Sequence, residues 1–541
     1  MTKFNLSIIF FVLAVAFGCK KNTKELKLSA DSGKNYSDLV LNQAKIDSFF
    51  VKNNESIAVI NKVNLFYSNR QYQYAWFTSN GMTQAVPVFY NQMMGFTNDF
   101  KQHRFEIKQL DTLISLINKD DKIITFKQKN QIQNFELLLT TTFFKYSKNQ
   151  QPLASNLDWF IPKNKKNYQV LLDSLLINGN KEVNTEPTNN YYKKLKEKLR
   201  QYRQIQQNGG YGTITMPTTY QPYEKANDSI LIAVKNHLFL TNDLKTNDKT
   251  IVYTNSFITA IISFQKRLGL NASGILTSET IKELNIPIDF RIKQMMVNME
   301  RLRWLPEVMG KDFVLVNIPE FKLHVFKNNK PVWQSKIVVG KEAKKTSIFK
   351  GNIATIVLNP YWNIPASIIN EELLPKLKKD PSYLDKNHME VVSNKHLMDA
   401  RKINWNKYVN TFPYEIRQKP GDDNAVGKIK FLFPNNFSIY IHDTPHKNLF
   451  NKKSRLYSDG CIRVENPVSL AEYILPSTTT FTTSKIKQIL DSNVETNIDI
   501  KPSFPVYITY FTAWVDTDGN LNFRNDIYNL DNELEKEIFS N

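Results

Sequence analysis

Cysteine is almost absent from this chain: its 541 residues include 2, at positions 19 and 461. That scarcity excludes a disulfide-stapled framework and any cluster of thiolate metal ligands. Acidic side chains are in deficit as well, 51 Asp and Glu against 71 Lys and Arg, for a net charge of +20. The excess points toward acidic partners. The apolar run from Leu6 to Phe17 is too short for a spanning helix, which takes about 20 residues. What the chain does have is 41% hydrophobic residues, with 35 Phe, 24 Tyr and 7 Trp. Its length is sufficient for several domains.

Lys3 followed by that short apolar run reads as a secretory signal over residues 1–18. Ala16-Phe17-Gly18-Cys19 resembles a bacterial lipobox, which makes Cys19 the lipidated first residue of the mature chain and 19–35 a tether. Export without a lipid is the alternative. The expected location is the bacterial cell envelope, facing the periplasm. There the basic charge meets anionic lipid and acidic wall polymers, and nucleic acid is not an expected partner.

With Cys19 assigned to the anchor, Cys461 has no disulfide partner. It sits in a Ser-Asp-Gly-Cys turn, Ser458 to Cys461. Ahead of it, Phe437, Ile439 and Ile441 alternate with Ser438, Tyr440 and His442, which predicts a strand ending at Asp443-Thr444-Pro445. Tyr440 and His442 then share one face. A histidine at a strand end and a cysteine in a glycine turn are the parts of a thiol nucleophile with its base. His442 and His446 are four apart, but Pro445 opposes the helix that would make them a zinc pair, and no metal is expected.

The stretch from Tyr440 to Val464 resembles the active-site signature of the L,D-transpeptidases, cysteine enzymes that cross-link peptidoglycan. There a histidine precedes a Ser/Thr-His-Gly-Cys turn by roughly fifteen positions, as His442 precedes Ser458 to Cys461. This chain departs by carrying Asp459 where the common form has histidine. The resemblance extends to the large capped branch of the family. FYSNRQYQYAWF (Phe66 to Phe77) is similar to a pattern near its start, and Asn359-Pro360-Tyr361-Trp362 and Arg417 to Asn435 are similar to segments near its catalytic site. The aromatics of Phe66 to Phe77 are read as scaffold core.

The expected architecture is multidomain α+β. A helical scaffold covers 36–227, where Tyr192, Leu195, Leu199 and Tyr202 form one helix stripe. A small helical module follows over 228–287, with Phe257, Ile261, Phe264 and Leu268 on one helix and a second helix after Thr277. This module resembles a peptidoglycan-binding domain, although its apolar marks also suit a core. A linker helix over 288–312 leads to a mostly β catalytic domain over 313–530. Its strands begin with Phe313 to Ile318, Phe321 to Phe326 and Ser335 to Gly340, and Pro505 to Tyr528 reads as a final hairpin. An insertion at about 360–436 reads as a helical cap over the cleft.

The resemblance implies acyl transfer. Cys461 attacks a stem-peptide carbonyl, His442 moves the proton, and backbone N–H groups at Gly460 and Cys461 receive the oxyanion. Tyr440 supports that oxyanion or orients the histidine, and Ser458, in the same turn, is expected to serve in oxyanion or substrate binding. Arg463 either holds a substrate carboxylate or forms a structural ion pair. The product is a 3→3 cross-link between peptidoglycan stems, and no cofactor is expected. Two alternatives stand beside this reading: a non-catalytic wall-binding lipoprotein, and a cysteine L,D-carboxypeptidase or peptidase. A papain-like enzyme is opposed by the order of the residues, since that family places cysteine before histidine.

Overall fold

The computed structural model describes residues 37–100, 110–112, 126–150, 159–161, 167–178, 189–215, 228–409, 411–475 and 481–539. The signal run, the tether and Cys19 lie outside the described residues. The chain forms two compact units, Met1–Val86 with Lys108–Phe144 and Pro87–Ile107 with Lys145–Asn541.

In the first unit, helix Gln43–Asn53 starts where the Asn42 side chain accepts from Lys45 N at 2.9 Å. Helix Ile57–Asn69 follows, then a short hairpin of β1 (Phe77–Thr78) and β2 (Gly81–Met82). Phe66, Tyr67, Tyr74, Trp76 and Phe77 are all buried, so the aromatic stretch does build core. Its polar atoms are met by the buried Glu136, which accepts from Ala75 N at 2.6 Å, Trp76 N at 3.0 Å and the Tyr67 hydroxyl at 2.7 Å.

The span expected as one scaffold is divided. Helix Asn190–Gln207 belongs to the second unit, where its stripe of Tyr192, Leu195, Leu199, Tyr202 and Ile205 packs on helix Ile288–Arg303. Periodicity shows that a helix buries a face, not which element receives it. The Ile288–Arg303 helix is not a linker either. Every residue from Met295 to Arg303 is buried, and Asn298 donates to Thr512 Oγ1 at 2.7 Å and accepts from Thr512 N at 2.9 Å. It is a central strut of this unit. In the small module, Thr254 and Thr277 cap helices Asn255–Arg267 and Ser278–Leu284, and Phe257, Ile261, Phe264, Leu268, Ile281 and Leu284 fill its core.

The main sheet starts with β3 (Phe313–Asn317), β4 (Lys322–Lys327), β5 (Lys330–Gly340) and β6 (Lys350–Leu358). Asn328 and Asn329, at φ 50° and 61°, make the β4–β5 turn. A second sheet takes β7 (Trp362–Asn363), β8 (Met389–Ser393), β9 (His396–Met398) and β10 (Glu415–Gln418). The chain returns to the main sheet with β11 (Ile429–Leu432), β12 (Ile441–His442), β13 (Leu456–Ser458), β14 (Ile462–Val464) and β15 (Thr496–Thr509). The main order is β13-β5-β14-β12-β11-β6-β15-β3-β4, and β5 also pairs with β4, so the sheet closes on itself. A hairpin of β16 (Ala513–Val515) and β17 (Leu521–Phe523) follows, turning through Gly519.

Three expectations change here. The insertion is not simply helical: it is an α+β subdomain of order β7-β10-β8-β9 with short helices. Its own core includes Leu374, Leu377, Leu384, Val391, Trp405 and Ile416. It also ends earlier than 436, because β11 lies between β6 and β12 in the main sheet. Finally, Val506 to Thr509 pairs with β3 rather than entering the last hairpin. Short apolar segments broken by proline carry little information on period, which explains the first change. Leu377→Ala empties a fully buried site in the cap core and is expected to cost about 2–5 kcal/mol. Hydrogen exchange should then show faster exchange in β8 and β10 with β6 and β15 unchanged. Equal acceleration in both sheets would mean that cap and main sheet open as one.

Candidate functional site

The site is built on three adjacent strands. β12 and β14 run parallel with Ile441 opposite Ile462 and His442 opposite Arg463, and β11 runs antiparallel with Lys430 opposite His442. Ile429, Phe431, Ile441, Ile462 and Val464 are fully buried on the core face. Alternation therefore sends Lys430, Tyr440, His442, Cys461 and Arg463 to the other face. Ile462 N donates to Tyr440 O at 3.1 Å, which sets Cys461 beside Tyr440.

Cys461 is held by a tightly bonded turn. The Ser458 hydroxyl donates to the Cys461 carbonyl at 2.5 Å and accepts from Gly460 N at 3.2 Å. Gly460 stands at φ +116°, a conformation that favours glycine. Its carbonyl accepts from Thr346 Oγ1 at 2.9 Å, and Thr346 Oγ1 in turn accepts from Gly340 N at 2.9 Å. The Tyr528 hydroxyl donates to the Gly340 carbonyl at 2.5 Å. A Cβ on Gly340 would collide with the Lys344 carbonyl, so glycine is required for this close approach.

Two expected roles are corrected by these bonds. The Ser458 hydroxyl is spent inside the turn, and the Gly460 N–H is spent on Ser458, so neither faces an oxyanion. The Cys461 N–H makes no such bond within the turn. The expected strand over 437–442 is also shorter, because Ser438 takes φ 55° and the Asn435 side chain organises residues 435–439. That bend brings the Ser438 carbonyl to 3.7 Å from Cys461 Sγ.

His442 is 5% exposed, and its Nδ1 lies 2.5 Å from the Asp443 carbonyl oxygen. That contact places a proton on Nδ1, and the Val426 carbonyl also acts on the ring. Asp443 is itself fixed, with Lys428 N donating to Oδ2 at 2.9 Å and Lys447 Nζ to Oδ1 at 2.5 Å. Burial, and then the nearby Arg463 charge, hold the imidazole down to about 3, so it is neutral near pH 7. Burial pushes the Cys461 thiol up, opposed by the Tyr440 backbone and hydroxyl donors and by Lys430 and Arg463.

Asp459 is engaged by two lysines. It pairs with Lys341 at 2.8 Å and Lys344 at 3.6 Å, and these lysines outweigh the effect of its partial burial to keep it below the usual carboxylate range. Arg463 keeps a buried Nε with no hydrogen-bond partner. Burial pushes the Tyr440 hydroxyl up, and the indole of Trp362, at the start of the cap, acts in the opposite sense. Lys430 places Nζ 4.0 Å from the centre of the Tyr440 ring. His446 is exposed and apart from this face. Among the described residues no group of three His, Cys, Asp or Glu is placed to hold a metal.

Trp362 lies in a segment already read as near the site, whereas Lys430 was not singled out in the sequence. The signal for Lys430 was present: it is the polar position between Ile429 and Phe431 in a strand-like run. Thr346 and Tyr528 carry no such signal, being 115 and 67 residues from Cys461 (461 − 346 and 528 − 461).

Residues 311–488 match the family model of the L,D-transpeptidase catalytic domain, and residues 61–199 match a model described as a scaffold domain. A Haemophilus influenzae protein named as a candidate L,D-transpeptidase is 36% identical over 256 residues, 47% of this chain and 50% of that protein. The chain thus spans about half the length of that curated relative. A solved L,D-transpeptidase from Xylanimonas cellulosilytica is 11% identical, covers 55% of this chain and 99% of its own, and has a TM-score of 0.19. One from Stackebrandtia nassauensis is 13% identical, covers 55% and 97%, and has a TM-score of 0.22. The likeness to L,D-transpeptidases thus rests on residues 311–488, which match the catalytic-domain model, and on a relative matched over half of its length.

The depressed histidine and the raised thiol make a prediction for pH. The rate of Cys461 alkylation by iodoacetamide should climb steadily from pH 6 to 9 and show no inflection near pH 6.5. A plateau beginning near pH 6.5 would instead mean that a protonated His442 holds the thiolate.

Proposed function

We propose that this protein is an L,D-transpeptidase that forms 3→3 cross-links between peptidoglycan stems, with Cys461 as nucleophile and His442 as acid–base. The observation that carries this reading is the shared sheet face of Cys461 and His442, with the imidazole neutral and its tautomer fixed by the Asp443 carbonyl.

The reaction begins as the thiol proton passes to His442 Nε2 and the bonding pair stays on Sγ. Sγ then bonds to the carbonyl carbon of the third stem residue, and the π pair moves to oxygen. The Cys461 N–H and the Tyr440 hydroxyl are the donors nearest that oxygen. Collapse breaks the bond to the terminal D-alanine, whose nitrogen takes the proton from His442. An amine of a second stem attacks the thioester, gives its proton to His442 and releases the thiolate. Arg463, with its unpaired buried Nε, holds a carboxylate of the donor. The cap contributes Trp362 to the Tyr440 oxygen and limits the access of water that would compete with the amine.

Incubation with disaccharide-tetrapeptides, read by mass spectrometry, should yield cross-linked dimers and free D-alanine. Cys461→Ala should yield none, and should also lose the single adduct that a carbapenem leaves on the wild type. His442→Ala should lose about 10²-fold or more in turnover. Dimer formation by Cys461→Ala at the wild-type rate would end the cysteine mechanism.

The proposed location is the bacterial envelope, with the chain exported and anchored through lipid on Cys19. Radiolabelled palmitate should label the full-length protein in cells, and Cys19→Ser should abolish the label. Persistent labelling in that variant would refute anchoring at Cys19.

A further inference from the structure

The face that carries Cys461 holds a second cation besides Arg463. Lys430 is half-buried on β11, opposite His442, and its side chain lies against the Tyr440 ring at 4.0 Å. It is paired with no carboxylate within 4.0 Å and donates no side-chain hydrogen bond among the described residues. A half-buried ammonium without such a partner is a cost to the fold unless an anion is supplied when the site works. The charged and titratable groups around it are few. Cys461 faces it from the start of β14, and Glu495 acts on it from ahead of β15. Glu495 is already engaged, accepting from Tyr361 N at 2.9 Å.

The same groups account for the charge state of the site. Cys461 is faced by Tyr440 from just ahead of β12, Lys430 from β11 and Arg463 from β14. His442 is faced by Arg463 and Lys430, two cations, while its Nδ1 meets a carbonyl rather than a carboxylate. An imidazolium beside two cations and no carboxylate is disfavoured. A resting thiolate–imidazolium pair therefore lacks the surroundings that would stabilise it, so the imidazolium forms only in passing as the proton moves, whereas a thiolate beside an ammonium is stabilised.

We propose that Lys430, held against the Tyr440 ring, is the cation that stabilises the Cys461 thiolate, and that His442 serves only to carry the proton. This inference rests on the reading of Cys461 as the nucleophile. Lys430 stays protonated throughout: the thiol proton goes to His442 Nε2, and the negative charge left on Sγ is balanced by the Lys430 ammonium. Lys430 therefore sets how much thiolate exists at a given pH, and takes no proton itself.

The test is a pH titration of Cys461 alkylation by iodoacetamide in the full-length protein. Lys430→Met should move the midpoint upward by about one pH unit, which lowers the rate at pH 7.5 about tenfold. Lys430→Arg, which keeps the charge, should restore a midpoint close to wild type. His442→Ala should leave the thiol midpoint near wild type while turnover falls. If Lys430→Met fails to fold, Lys430→Gln read in the same titration takes its place. An unchanged midpoint in folded Lys430→Met, or a raised one in His442→Ala, would overturn the proposal. The titration uses no peptidoglycan, so it separates the two claims. The predicted shifts with no cross-linked product would leave this inference standing and remove the transpeptidase reading. Cross-linked product without the shifts would do the reverse.

Discussion

The parallel pairing of β12 with β14 is the constraint on which the site depends. With Ile441 opposite Ile462 and His442 opposite Arg463, one register puts four polar side chains on a single face and the apolar ones in the core. A slip of one residue would exchange those faces, burying Tyr440, His442, Cys461 and Arg463 and exposing Ile441 and Ile462. The fully buried residues on the core face make that exchange costly. Core packing therefore fixes which side chains meet on the opposite face.

The turn ahead of β14 is a second product of the same sheet. Its glycine adopts a conformation few residues tolerate, with its N–H donating to Ser458 and its carbonyl accepting from Thr346. Thr346 and Tyr528 connect that turn to Gly340 at the end of β5. The C-terminal part of the chain thus supports the turn that carries Cys461. Helix Ile288–Arg303 does similar work at longer range, through the bonds between Asn298 and Thr512.

Electrostatically the face is unusual for a cysteine–histidine pair. The groups acting on the imidazole are cations and backbone carbonyls, and the carboxylate of Asp443 is turned to Lys447 and the Lys428 amide. Asp459, placed where a second histidine stands in the common form of the signature, is drawn outward by Lys341 and Lys344. It touches the site through its field on Arg463 rather than by contact. The cap is a subdomain with its own core, and its first strand provides the Trp362 contact to Tyr440.

Much of this was legible in the sequence, because local rules govern it. Alternation placed Tyr440 and His442 on one face, Gly460 marked the turn at Cys461, and helical spacing identified Phe257, Ile261, Phe264 and Leu268 as a core stripe. Those signals depend on residues within a few positions of one another. The tertiary structure decided what depends on distant partners. It showed that Ser458 and the Gly460 amide are consumed inside the turn and that the presumed linker helix is a strut. It also showed that β11 belongs to the main sheet and brings Lys430 beside His442. A sequence specifies which face a strand buries, but not which strand lies next to it. The neighbour follows only from the closing of the sheet, and with it the charges that surround Cys461.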